Sequence, residues 1–172
     1  MGTGAQPGAA LFFGKLLCKV IAAFKGDDYR SAFVDNMAFG GYNKRFEPAR
    51  TDKDWLTRDE KEVDAYLANP WCTFRFTVNA YYHMFCGIEY AQKKENIEKI
   101  PKDLPLYLVA GSDDPVGNFG KGVENVAKTY RECGIKDVSL KLYEKDRHEI
   151  LNELDRQVVY EDILAWVEAH LL

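Results

Sequence analysis

The sequence is poor in the residues that build metal or disulfide frameworks. Its four cysteines, Cys18, Cys72, Cys86 and Cys133, stand far apart and form no Cys-x-x-Cys pair. That excludes a zinc knuckle and gives no disulfide framework, leaving free thiols of the kind a reducing, cytoplasmic compartment keeps. His83 and Cys86 are close enough to share a helical face, but a structural zinc site needs about four ligands and no second pair appears. No metal and no cofactor are therefore expected. Charge of one sign is also missing: Lys and Arg number 23 against 27 Asp and Glu, a net charge of -4. Basic and acidic residues mix along Lys93 to Lys102, which describes a solvated face and argues against a nucleic-acid partner. Long apolar runs are absent too. The most apolar stretch, Leu11 to Phe24, carries Lys15 and Lys19, so neither a membrane span nor a signal-peptide core is expected. Gln6 stands where a myristoylation signal requires Ser or Thr. There is no internal repeat and no low-complexity tract.

What is present describes one soluble domain. With 172 residues, 47% of them hydrophobic and 13% aromatic, the chain can bury a core of ordinary size. Residues 1–100 read as helices and loops. Phe12, Leu16, Leu17, Val20, Ile21 and Phe24 recur at helical spacing, which predicts an amphipathic helix with that stripe as its apolar side. Gly26 to Arg50 is loop-rich, punctuated by Gly40-Gly41 and Pro48. Thr57-Arg58-Asp59-Glu60 matches a capping box that opens a helix through Leu67, and Asn69-Pro70 ends it. A further helix is expected from about Asn79 in the aromatic stretch Phe74 to Tyr90, with Pro101 and Pro105 bracketing the next loop.

Residues 101–172 have a different texture. Leu106 to Ala110 is a continuous apolar run ending in Gly111, as suits a strand buried on both faces of a parallel sheet. Asn118 to Cys133 has helical character and stops at Gly134, a good residue for a helix end. Val138 to Tyr143 reads as a second strand. From about Asp155, Val158, Val159, Ile163, Trp166, Val167 and Leu171 mark a final helix. A helical crossover makes the two strands parallel, so their C-terminal ends emerge on one edge of the sheet, where such folds bind ligands. Asp114 follows the first strand and His148 the second. Topology thus brings a carboxylate to an imidazole: Asp114 can accept from Nδ1–H of His148, fix its tautomer and stabilise the imidazolium formed when Nε2 takes a proton. Turn and capping roles for an Asp before Pro, and a structural role for a lone His, stand beside that reading.

The wording of the two loops resembles a known family. Gly111-Ser112-Asp113-Asp114-Pro115-Val116-Gly117 is similar to the acid-bearing segment of the monoacylglycerol lipase and lysophospholipase branch of the α/β-hydrolases, often labelled serine aminopeptidase S33-like. Tyr143 to Glu153 resembles that branch's histidine loop. Upstream, Gly40-Gly41-Tyr42-Asn43 and Arg50 to Asp59 resemble its helical cap. Gly2-Thr3-Gly4 resembles the residues leaving the strand after the nucleophile-bearing helix. The resemblance implies an α/β fold, the C-terminal portion of an α/β-hydrolase. Residues 1–100 would be the cap-like region and 101–172 the core segment. It also implies Asp114 as triad acid and His148 as base, with Asp113 a neighbour the pattern does not require.

The nucleophile that such a pair should activate is missing. The three serines, Ser31, Ser112 and Ser139, lie in no Gly-x-Ser-x-Gly elbow. The backbone donor that follows the serine is missing as well, so the family's oxyanion hole cannot be completed. Cys18, Cys86 and Cys133 read as buried thiols rather than substitutes. The chain alone is accordingly expected to be inactive, with the rest of the hydrolase upstream, on another chain, or lost. In that reading it is a truncated serine hydrolase acting, when complete, on carboxylic esters or lysophospholipid-like substrates. The alternatives are a degenerate acyl- or lipid-binding homologue and a bare fragment. Phe74, Phe76, Tyr81, Tyr82 and Phe85 can form an apolar acyl pocket or plain core. The strand at Leu106 is expected to have an open edge, which invites the missing half or self-association.

Overall fold

A computed structural model describes residues 1–171. The chain begins with α1 (Gly8–Lys25) and α2 (Ala32–Phe39), then a 3-10 turn at Tyr42–Phe46. Next come α3 (Glu60–Ala68), α4 (Val78–Gln92) and the short α5 (Lys94–Ile97). The strand β1 (Leu106–Gly111), α6 (Lys121–Glu132), β2 (Val138–Tyr143), a 3-10 turn at Ile150–Asn152 and α7 (Arg156–His170) complete it. No helix among the described residues is long and apolar enough to cross a membrane.

β1 and β2 pair in parallel, Leu106 opposite Val138 through Gly111 opposite Tyr143. Side chains alternate between the two faces of this pleated pair, so one crossover helix and one terminal helix can each cover a face. Leu108, Ala110 and Val138 meet Val123 and Ala127 of α6 on one side. Val109 and Tyr143 meet Val159 of α7 on the other, and Trp166 stacks on Tyr107 with ring centres 5.2 Å apart. Among the described residues the sheet has two strands, so the other edge of β1 carries no partner.

The helical part has its own core of Leu11, Cys18, Val34, Val78, Tyr81 and Phe85. Here α1 departs from the expected stripe. Its buried residues are Leu11, Gly14 and Cys18, while Phe12, Leu16, Val20 and Phe24 are exposed and only Leu17 and Ile21 are half-buried. Gly14 explains the choice of face. A Cβ there would lie 2.9 Å from the ring of Phe85, so the small-residue side admits α4 at close range and the bulkier side turns outward.

Three local expectations also change. The loop-rich stretch contains α2, capped by Ser31, whose hydroxyl accepts from the Val34 amide at 3.3 Å. The cap of α3 is Asp59, accepting from the Lys61 amide at 3.0 Å. Thr57 instead accepts from the Asp59 amide and donates to the Asn152 carbonyl. Finally, α6 starts at Lys121 rather than Asn118, because Asn118, Phe119 and Gly120 adopt positive φ values of 49, 55 and 84°.

Candidate active site

The C-terminal ends of β1 and β2 lead into two loops that are stitched together before any functional side chain is placed. The Ser112 amide donates to the Tyr143 carbonyl at 2.8 Å and the Asp113 amide to that of Asp146 at 2.9 Å. The Ser112 hydroxyl accepts from the Lys145 amide at 2.8 Å. Gly111 permits the crossing, since a Cβ at that position would run into the carbonyl oxygens of Asp146 and Arg147.

On this scaffold Asp114 and His148 meet. Asp114 is fully buried; its Oδ1 accepts from the Val116 amide at 2.8 Å, and its carbonyl oxygen accepts from the Phe119 amide at 2.8 Å. His148 Nδ1 lies 3.1 Å from Oδ2 and 3.2 Å from Oδ1. That geometry suits an Nδ1–H donor held by the carboxylate, which leaves Nε2 as the basic nitrogen. The imidazole remains 26% exposed, enough to be reached. Gly2 passes beside it: a Cβ on Gly2 would lie 3.3 Å from His148 Cε1.

Two aromatic rings complete the surroundings. Trp55 packs against the imidazole with ring centres 5.2 Å apart, and Tyr42 against Trp55 at 5.0 Å. Burial raises the Tyr42 phenol above its ordinary pKa, and the negative charge of Asp114 adds to the effect. Asp113, by contrast, faces Arg45 at 3.8 Å and takes no part in the pair. In the sequence, Tyr42 and Trp55 stand out only as members of segments resembling a cap; their aromatic character beside Gly40-Gly41 and before Thr57 is the available signal.

The three serines have other occupations. Ser31 caps α2, Ser112 pins the two loops, and Ser139 sits within β2 opposite Tyr107. His83 and Cys86 lie on α4. Among the described residues the carboxylates close enough to share a cation are Asp146, Glu153 and Asp155. Arg58 already fills that place, bonded to Asp146, to Glu153 at 3.0 Å and to Asp155 at 2.6 Å. Burial pushes the Asp146 carboxyl up to about 7, with the charges of Glu153 and Asp155 adding to it and Arg58 opposing.

Beside this site lies a cavity of about 580 Å³. Phe39, Trp55, Phe74, Phe76 and Tyr81 supply apolar wall, while Asp35, Asp52, Lys53 and Arg75 supply charge. Of the five aromatics expected to shape a pocket, Phe74, Phe76 and Tyr81 do line it. Phe85 is core between α1 and α4, and Tyr82 lines a smaller cavity with Cys18 and Val78.

Comparison with known proteins bears on the family and the fold. The family model for serine aminopeptidase, S33, matches residues 9–155. A monoacylglycerol lipase from Mycolicibacterium smegmatis is 28% identical over 123 residues, which is 70% of this chain and 40% of that protein. A highly thermostable carboxyl esterase from Bacillus coagulans, solved in complex with glycerol, superposes with a TM-score of 0.89. It is 26% identical, over 99% of this chain and 56% of the esterase. A monoacylglycerol lipase from Paleococcus ferrophilus superposes at 0.60 with 19% identity, covering 96% of this chain and 53% of that one, a likeness of fold alone. The chain thus spans about half the length of the relatives it matches.

Proposed function

We propose a function on the premise that this chain belongs to the serine aminopeptidase S33 family and folds as part of an α/β-hydrolase. Asp114 and His148 are the acid and base of a serine hydrolase site whose nucleophile lies outside these 172 residues. Residues 1–100 serve as its cap and residues 101–172 as the core segment that carries the pair. The observation that carries the reading is the contact of His148 Nδ1 with both oxygens of the buried Asp114 carboxylate. An exposed histidine alone would say little. A histidine oriented by a buried carboxylate, at the strand ends of a parallel sheet, is equipped for general-base work.

In the complete site, His148 Nε2 accepts the proton of the incoming serine hydroxyl as its oxygen attacks the ester carbonyl. The imidazolium, stabilised by Asp114, then protonates the departing alcohol and leaves an acyl-enzyme. Water activated by the same nitrogen releases the carboxylic acid and restores the serine. The substrate class is a carboxylic ester with an apolar acyl group, lysophospholipid-like or monoacylglycerol-like. The aromatic cavity supports this class, since its volume and largely apolar wall suit a small-molecule site. The serine-bearing half pairs with the open edge of β1. Alone, the chain is inactive. Four free cysteines fit a cytoplasmic setting.

The test is complementation. The chain is mixed with a serine-bearing N-terminal segment of a related esterase, and hydrolysis of a short-chain p-nitrophenyl ester is followed. Turnover should require both parts and fall by roughly 10³-fold or more with His148→Gln or Asp114→Asn, as for removal of a triad member. Turnover by the mixture that survives His148→Gln would refute the assignment.

A second reading, a binding module without turnover, rests on the cavity alone. It requires that a medium-chain fatty acid bind the isolated chain equally well with and without His148.

A further inference from the structure

We propose that Glu153 is a positioning residue for His148, holding the imidazole against Asp114 through the Arg58 segment and the Trp55 ring. This rests on the reading of His148 as the base. Glu153 is fully buried, a costly place for a carboxylate unless donors surround it. They do. Its Oε1 accepts from the Arg147 amide at 2.8 Å and the Arg58 amide at 3.2 Å. Its Oε2 accepts from Arg58 Nε at 3.0 Å, the Arg58 amide at 3.2 Å and the Leu154 amide at 3.3 Å.

Through them one carboxylate ties the Arg58 amide and side chain and the Leu154 amide to the amide of Arg147, the residue just before His148. On its other side, the Glu149 amide donates to the Leu56 carbonyl at 2.7 Å, and the His148 amide reaches the Trp55 carbonyl at 3.4 Å. The histidine is therefore gripped fore and aft by one segment, residues 54–58, while the ring of Trp55 from that segment leans on the imidazole. Arg147 adds to the grip by donating to the carbonyls of Asp54 and Thr57. Arg58 closes the arrangement by bonding Asp146 and Asp155 as well as Glu153.

The physical reason for such a device is tolerance. A 3.1 Å contact to a carboxylate survives displacements of only about 0.5 Å before alignment suffers. Loops after strands are usually the mobile parts of a fold. A buried charge saturated by four separate donor groups fixes this loop's backbone more tightly than apolar packing, because each bond has a direction. Glu153 touches neither the imidazole nor any reacting atom, so its effect passes through backbone and Trp55.

The test is imidazole NMR on the whole 172-residue chain. His148→Gln identifies the His148 signals, and Asp114→Asn should remove the low-field Nδ1 proton of the carboxylate-bound ring. In Glu153→Gln, folded by its amide spectrum, that proton should lose at least half its intensity and the Trp55–His148 cross-relaxation should fall with it. The His170 ring, bonded to Trp166 and Asp137 elsewhere, should not change. Arg58→Gln supplies the same perturbation from a partly exposed side chain and should give the same result. Retention of the full Nδ1 signal in either folded variant, even with lowered stability, would overturn the proposal and make Glu153 a purely structural residue. Loss of cooperative folding in both variants would count against it in the same way. If Asp114→Asn leaves the signal unchanged, the reading of the pair fails; if only the Glu153 and Arg58 variants leave it unchanged, the positioning role fails by itself.

Discussion

Replacing Gly111 with alanine puts a methyl group where the acid loop and the histidine loop cross. The new Cβ would fall on the carbonyl oxygens of Asp146 and Arg147, inside the 3.0 Å that real Cβ atoms keep from their neighbours. Both obstacles are backbone, so no rotamer change relieves them. The loops must part by on the order of 1 Å, the kind of shift overpacking forces. Three short contacts span that gap: Ser112 to Tyr143 at 2.8 Å, Asp113 to Asp146 at 2.9 Å, and Asp114 to His148 at 3.1 Å. Each would stretch toward about 4 Å, beyond hydrogen-bond reach. Two lost backbone bonds and the overpacking strain together cost about 3–5 kcal/mol. A domain of ordinary stability survives that. Urea unfolding reports the loss, and amide hydrogen exchange at Ser112 and Asp113 reports its place. A change under about 0.5 kcal/mol, with both amides still protected as in the parent, would refute the idea that this glycine is what lets the two loops meet.

Other expectations follow from the same geometry. Burial raises Asp146 from its ordinary 3.8 to about 7, so the folded chain holds that proton more tightly than the unfolded one. Its contribution to stability is complete below 3.8 and is lost as pH rises toward about 7; Asp146→Asn should flatten this part of the stability curve, and an equally steep curve would contradict it. Lys145 holds a φ of 66°. Lys145→Gly should therefore stabilise the chain by about 1 kcal/mol in urea unfolding, and destabilisation would show that the turn is not strained. Asp59→Ala should cost about 1 kcal/mol and raise exchange in the first turn of α3, as expected for loss of a helix cap. Thr57→Ala should leave that turn protected while loosening the contact with Asn152.

The fold was most legible where sequence pattern and packing demand the same thing. β2 runs from Val138 to Tyr143 as expected, and Gly134 stops α6 with a φ of 88°. The crossover then places Asp114 and His148 on one edge without help from any motif. Legibility failed where more than one face of a helix carries apolar residues. In α1 the larger residues form the more conspicuous stripe, yet contact distance favoured Gly14 and Cys18, and periodicity carries no information about how closely a neighbour approaches. The capping pattern at Thr57 failed for a different reason. Its hydroxyl found a long-range acceptor at Asn152, and Asp59 took over the local task. Trp55, Arg58 and Glu153 were all visible as letters, but the zipper between residues 54–58 and the histidine loop joins positions about 95 apart and has no local signature.

The claim that this chain holds an acid and a base awaiting an external nucleophile is tested most directly with a fluorophosphonate probe. The isolated chain should show no labelled serine, while a serine-bearing hydrolase segment mixed with it should become labelled in a manner that depends on His148. Covalent labelling of Ser31, Ser112 or Ser139 in the isolated chain would contradict the account.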